Sequence, residues 1–231
     1  MKSLIFDSGP IISLAMNNLL WLLSPLKKQF QGSFVITPGV KNELIDHPME
    51  IKRFEFEALQ VLKELNVGTL TLFQDERLAD EKDHLLELAN RLFWAGKRPI
   101  PLVHSGEMET VAAALMGQAG IVVVDERTTR LLLEQPKALL PILQHKMHAT
   151  ITLRQSALKI WQDKTAHLQV IRSLELVLMA YRMGLLDSYI SQGITKKTLL
   201  DSLLWGLRLN GCSLPNEDLD DLLQGNVEGF P

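Results

Sequence analysis

Four acidic residues, far apart along the chain, sit where an α/β fold would bring them together. Asp7 follows the apolar run Leu4-Ile5-Phe6, and Asp125 follows Ile121-Val122-Val123-Val124. Glu107 opens the helical segment before that second run, and Glu43 lies in the segment after Phe34-Val35-Ile36-Thr37. Strand ends of one polarity share one edge of a parallel sheet, helix N-termini point at that edge, and ligand sites form in its crevice. Carboxylates gathered there repel one another, which raises their pKa values unless a cation compensates. Hard oxygen donors of this kind suit Mg²⁺ or Mn²⁺. A cation so held can activate water for attack on a phosphodiester and stabilise the leaving oxygen. Taken singly, each acid reads equally well as a cap or turn former; their shared edge carries the argument.

The elements that must position these acids are written in periodicity and punctuation. Ser3–Phe6 reads as a buried strand, and Asp7-Ser8-Gly9-Pro10 as the turn into a helix over Ile11–Leu23. Phe34–Thr37 is a second strand, with Pro38 in the first turn of the helix that carries Val40, Glu43 and Leu44. Residues 50–65 read as a helix, 69–73 as a strand, and 75–95 as a charged helix stopped by Gly96. Ser105-Gly106-Glu107 starts an alanine-rich helix to Met116, and the β-branched run 121–124 has the character of a central parallel strand. Alternating strands and helices predict an α/β fold, a parallel sheet with helices on both faces. After Pro141 no strand is apparent, and helices are expected over 174–183 and through Leu199, Leu200, Leu203, Leu204 and Leu207, the latter capped by Thr195. The expected organisation is therefore an α/β domain over 1–140 and an all-helical extension over 141–231.

Composition narrows the function classes. With 46% hydrophobic and 22% charged residues, the 231-residue chain can bury a real core. A single cysteine, Cys212, excludes an internal disulfide framework. Asp7 interrupts any leader-like apolar run at the start, and the stretch 11–23 is too short to span a bilayer, so a cytoplasmic protein is expected. The net charge of −3 means that contact with nucleic acid has to rest on local basic groups or bound metal. There is no phosphate-binding loop or dinucleotide fingerprint. A phosphatase using Asp7 as nucleophile would want a second acid where Gly9 stands.

The ordered segments Leu4-Ile5-Phe6-Asp7-Ser8-Gly9-Pro10, Ile36-Thr37-Pro38-Gly39-Val40-Lys41-Asn42-Glu43-Leu44, Gly106-Glu107-Met108-Glu109 and Val123-Val124-Asp125-Glu126-Arg127-Thr128-Thr129-Arg130 resemble the successive motifs of PIN-domain ribonucleases. The likeness is to the toxin-like subgroup with a Gly-Glu third motif and an Asp-[Asp/Glu]-x-x-x-Arg fourth motif. It covers residues 2–134 and, more loosely, 173–223. The resemblance implies a Rossmann-like PIN fold, a Mg²⁺ or Mn²⁺ site, and endonucleolytic cutting of single-stranded RNA. It also implies a toxin–antitoxin context, with a small antitoxin protein as partner. Position by position, Asp7, Glu43, Glu107 and Asp125 become the catalytic, metal-holding acids and Ser8 a hydroxyl that orients them. Glu126 becomes an auxiliary acid, with Arg130 pairing with Glu126 or touching phosphate. Glu109 falls on another helix face than Glu107, which favours Glu107. The tract 136–172 is longer than the family pattern expects.

The remaining features read plainly. His145, His148 and His167 lack a second well-spaced pair for zinc and read as surface histidines. Lys27-Lys28, Lys97-Arg98 and Lys196-Lys197 read as solvated ends, and the acidic run 217–221 as an exposed face. Trp21, Trp94, Trp161 and Trp205 read as core or interface residues. The leucine-rich C-terminal helices read as core, with a homodimer or partner surface as the alternative. Against the nuclease stands a non-catalytic module that scaffolds a protein partner or RNA.

Overall fold

A computed structural model describes residues 2–117, 120–191, 193–214, 219 and 222. In chain order the elements are β1 (Ser3–Phe6), α1 (Ser8–Met16), α2 (Leu23–Phe30), β2 (Ser33–Ile36), α3 (Pro38–Lys41), α4 (Glu55–Asn66) and β3 (Leu70–Leu72). There follow α5 (Leu78–Ala89), β4 (Phe93–Ala95), β5 (Arg98–Pro99), α6 (Ser105–Met116), β6 (Gly120–Val123), α7 (Arg127–Glu134) and α8 (Leu139–Met147). The last are β7 (Ile151–Leu153), α9 (Gln155–Thr165), β8 (Gln169–Ile171), α10 (Ser173–Arg182) and α11 (Lys196–Leu209).

Five strands form a parallel sheet in the order β3-β2-β1-β6-β8. The fold is α/β and Rossmann-like, as the alternation of strands and helices predicts. Successive side chains on a strand point to opposite faces, and the core divides accordingly. Leu4, Phe6, Phe34, Ile36 and Val123 pack with Ile11, Leu14, Leu174, Leu178, Leu204 and Leu207 on one face. Ile5, Val35, Val122 and Val124 pack with Leu85, Met108, Val111, Leu132 and Trp161 on the other. Both faces are covered by helices, which explains why the strands read as unbroken apolar runs.

Three expectations are corrected. Residues 141–231 are not all-helical: β8 is the fifth strand of the main sheet, in register with β6 through Val123↔Ile171. β7 joins β4 and β5 in a small antiparallel sheet. The charged helix does not run to Ala95 but ends at Ala89, and Phe93–Ala95 is β4, since an aromatic run gains more from cross-strand partners than from another helical turn. The first helix stops at Met16 rather than Leu23, broken by Asn17 and by Asn18, whose φ of 57° is left-handed. α4 begins at Glu55, five residues later than expected, behind a short 3₁₀ turn over Pro48–Glu50. Thr195 does cap α11, its side chain accepting the Thr198 N–H.

Of the tryptophans, Trp161 is fully buried and donates its ring N–H to the Leu132 carbonyl at 2.8 Å. Trp94 lies under the Arg154 guanidinium, whereas Trp21 and Trp205 are substantially exposed. His145, His148 and His167 are exposed, as read. Apart from Leu219, the acidic run 217–221 lies outside the described residues. No single helix among the described residues is long and apolar enough to cross a membrane.

Candidate functional site

The ends of four strands line up at one edge of the sheet. Phe6 pairs with Ile36 and with Val123, and Val123 with Ile171. The residues immediately beyond are Asp7, Thr37, Val124 and Arg172, with Asp125 and Ser173 one step further. Helices α1, α3, α7 and α10 start from this edge.

Asp7 is buried there, 7% exposed. Burial, then the negative charges of Glu107 and Glu43, push its pKa up to about 7, opposed by the Ser8 and Gly9 amides. Ser8, the hydroxyl assigned by resemblance, occupies the first position of α1 beside it. Glu107 caps α6 by accepting the His104 N–H at 2.5 Å. Its pKa is also raised, chiefly by burial and then by the charge of Glu126, against the pull of the His104 amide. The Thr129 hydroxyl stands beside Glu107, buried and without a hydrogen-bond partner of its own. Glu43 is exposed, in a π-helical turn over Asn42–Asp46; such turns recur at functional sites. Its carboxylate lies over Gly106, where an added Cβ would stand 2.7 Å from Oε1. Gly106 is thus small because Glu43 passes over it. Glu109 points elsewhere, accepting the Gly39 N–H at 3.3 Å.

Asp125 belongs to the same edge but is held differently. It is 2% exposed, and Gly9 separates it from Asp7: a Cβ there would lie 3.7 Å from Asp125 Cβ and from Asp7 Oδ2. Asp125 Oδ1 accepts the Ser173 N–H at 2.8 Å, and Oδ2 accepts the Ser13 and Ser173 hydroxyls, both at 2.7 Å. Neither serine was singled out by sequence. The signal for Ser173 was present in Val170-Ile171 followed by a helix start with an acid at its third position, Glu175. Ser13 carries no such signal, because it lies in mid-helix.

The auxiliary pair is corrected. Glu126 caps α7, accepting the Thr129 N–H at 2.6 Å, and Arg130 pairs with Glu134 at 3.7 Å, not with Glu126. A cap ties the Glu126 carboxylate to the helix N-terminus, while Arg130 points down the helix toward the favourable C-terminal side.

Asp7, Glu43 and Glu107 thus influence one another, and among the described residues no lysine or arginine pairs with any of these three or with Asp125. Equally, among the described residues no group of three His, Cys, Asp or Glu side chains is already poised to hold a metal ion. Asp125 is turned to its serines and one oxygen of Glu107 to the His104 amide. The donor set itself, mutually repelling carboxylates plus an orphaned hydroxyl, fits a hard divalent cation in charge and in chemistry. If Glu43 supplies one donor, displacing it weakens that site without unfolding the protein. Gly106→Ala is expected to leave or slightly raise stability, since alanine favours a helix by up to ~1 kcal/mol. The same change is expected to weaken Mn²⁺ binding about tenfold, roughly the loss of ~1.4 kcal/mol; titration calorimetry with thermal melting reads both.

No known protein family, curated protein or solved structure matches the chain.

Proposed function

We propose that the protein is a divalent-cation-dependent endoribonuclease acting on single-stranded RNA. The observation that carries this reading is Asp7, a buried acid at the sheet edge whose pKa is raised toward neutrality by burial and by Glu107 and Glu43, with no basic partner. Such a cluster costs stability in the absence of a cation, and perturbed acids in a cleft are a signature of functional sites. The four ordered sequence motifs support phosphodiester and RNA as the substrate class, and a small inhibitory partner as context.

Asp7, Glu43 and Glu107 would hold Mg²⁺ or Mn²⁺, with Asp125 beside them. When bound, the cation supplies a Lewis acid for the phosphate oxygens and lowers the pKa of water. The chain's own groups do the rest. The Ser8 and Gly9 amides fix the Asp7 carboxylate, the Thr129 hydroxyl can orient Glu107, and Ser13 with Ser173 fixes Asp125. Asp7 protonates near neutrality in the absence of a cation, so proton release accompanies cation uptake. The expected result is Mn²⁺-dependent cleavage of a single-stranded RNA by the purified protein, lost in both Asp7→Asn and Asp125→Asn while circular dichroism stays native. Undiminished cleavage in both variants would remove the mechanism.

A second reading, a non-catalytic binding module, draws on the apolar groove of about 320 Å³ lined by residues that include Ile11, Met16, Leu44, Phe54 and Val61. Calorimetry separates the two, because a module without the site takes up no saturable Mn²⁺.

A further inference from the structure

Asp125 is closed off from the side of the C-terminal chain. Beyond α11, residues 210–214 run back across it. The Ser213 N–H donates to the Asp125 main-chain carbonyl at 3.4 Å, Arg172 Nη1 donates to the Ser213 carbonyl at 3.4 Å, and the Ser13 hydroxyl also reaches the Asn210 carbonyl at 3.4 Å. These contacts are long, near the limit of a hydrogen bond, whereas the serine donors on the Asp125 carboxylate stand at 2.7–2.8 Å. Cys212 and Leu214 anchor the segment by burial, at 2% and 5% exposure. Between Asn210 and Cys212 stands Gly211, whose φ of 113° only glycine adopts without strain. A short segment with long polar contacts, two small apolar anchors and a glycine at its root is the kind of unit that opens locally before the fold does.

We propose that residues 210–214 form a strap that lifts about Gly211, and that Asp125 exchanges its serine donors for the divalent cation only when the strap is raised. This rests on the cation site proposed above. Its consequence is reciprocal: a cation that prefers the raised state shifts the strap toward it.

Cys212 reports the strap directly, being the chain's single cysteine and buried beneath it. The experiment is the rate of thiol labelling of the full chain by a disulfide reagent, with and without saturating Mg²⁺, which has little affinity for thiolate. Mg²⁺ is expected to accelerate labelling about tenfold. Gly211→Ala is expected to accelerate it without Mg²⁺, because a Cβ there has room, 3.9 Å from Ser13 Oγ, but strains the closed backbone. Ser173→Ala, which removes one clamp donor, is expected to do the same. If calorimetry shows Mg²⁺ binding while labelling is unchanged or slowed, the strap is not coupled to the site and the inference fails alone. If Mg²⁺ does not bind at all, the proposed cation site fails and takes the strap's role with it.

Discussion

At pH 8 and without divalent cation, Asp7→Asn is more stable than the parent protein. The carboxylate has its pKa carried from 3.8 to about 7, a native-state penalty of ~4 kcal/mol once it is fully ionised in both states. The sign follows from proton counting. Below about pH 4 the acid is protonated whether folded or unfolded, and the penalty vanishes. Between about 4 and 7 the folded state holds the proton that the unfolded state has released, so stability falls as pH rises. Above 7 the full penalty is present. Asparagine keeps the side-chain shape and its preference for a helix start, but it lacks the charge. Allowing for weaker bonds to the Ser8 and Gly9 amides, a net gain of about 2–3 kcal/mol and a melting temperature higher by roughly 5–10 °C are expected at pH 8. The difference should shrink on approaching pH 4. Saturating Mn²⁺ should raise the melting point of the parent and leave that of the variant where it was. A variant less stable than the parent at pH 8 would mean that Asp7 is an ordinary cap, and the cation site would lose its central residue.

The second large effect lies behind the site. Arg172 and Glu175 are almost fully buried, at 5% and 8% exposure. Glu175 accepts the Arg172 backbone N–H at 2.6 Å and pairs with the guanidinium at 2.6 Å. Removing one partner of a buried pair leaves the other charge uncompensated, at a typical cost of 3–5 kcal/mol. Glu175→Ala is therefore expected to lower stability by about that amount in urea unfolding. Converting both residues to apolar ones, Arg172→Met with Glu175→Leu, should recover most of the loss, since well-packed apolar replacements are often neutral or better. A loss below ~1 kcal/mol in the single variant would show the pair to be solvated in solution. Because Arg172 precedes Ser173, whose N–H and hydroxyl hold Asp125, this pair also fixes the start of α10 against the sheet edge. The single variant should loosen that clamp as well as the fold.

The chain's local pattern by itself determined the α/β class, the strands β1, β2, β3 and β6, and the position of Asp7, Glu107 and Asp125 at strand and helix ends. Apolar runs closed by acid, glycine or proline are short-range signals, and a parallel sheet turns them into a shared edge whatever the rest of the chain does. Tertiary structure decided the rest. β8 is three residues long, Gln169–Ile171, and becomes a strand only because β6 offers it a ladder; β4 and β7 likewise exist through each other. The partners of Asp125 come from 112 residues upstream and 48 downstream, and no spacing rule reaches that far. Arg130 chose Glu134 because Glu126 was already taken by its helix cap. Periodicity records which face of an element is buried; which polar groups meet across that burial is settled only when the layers pack.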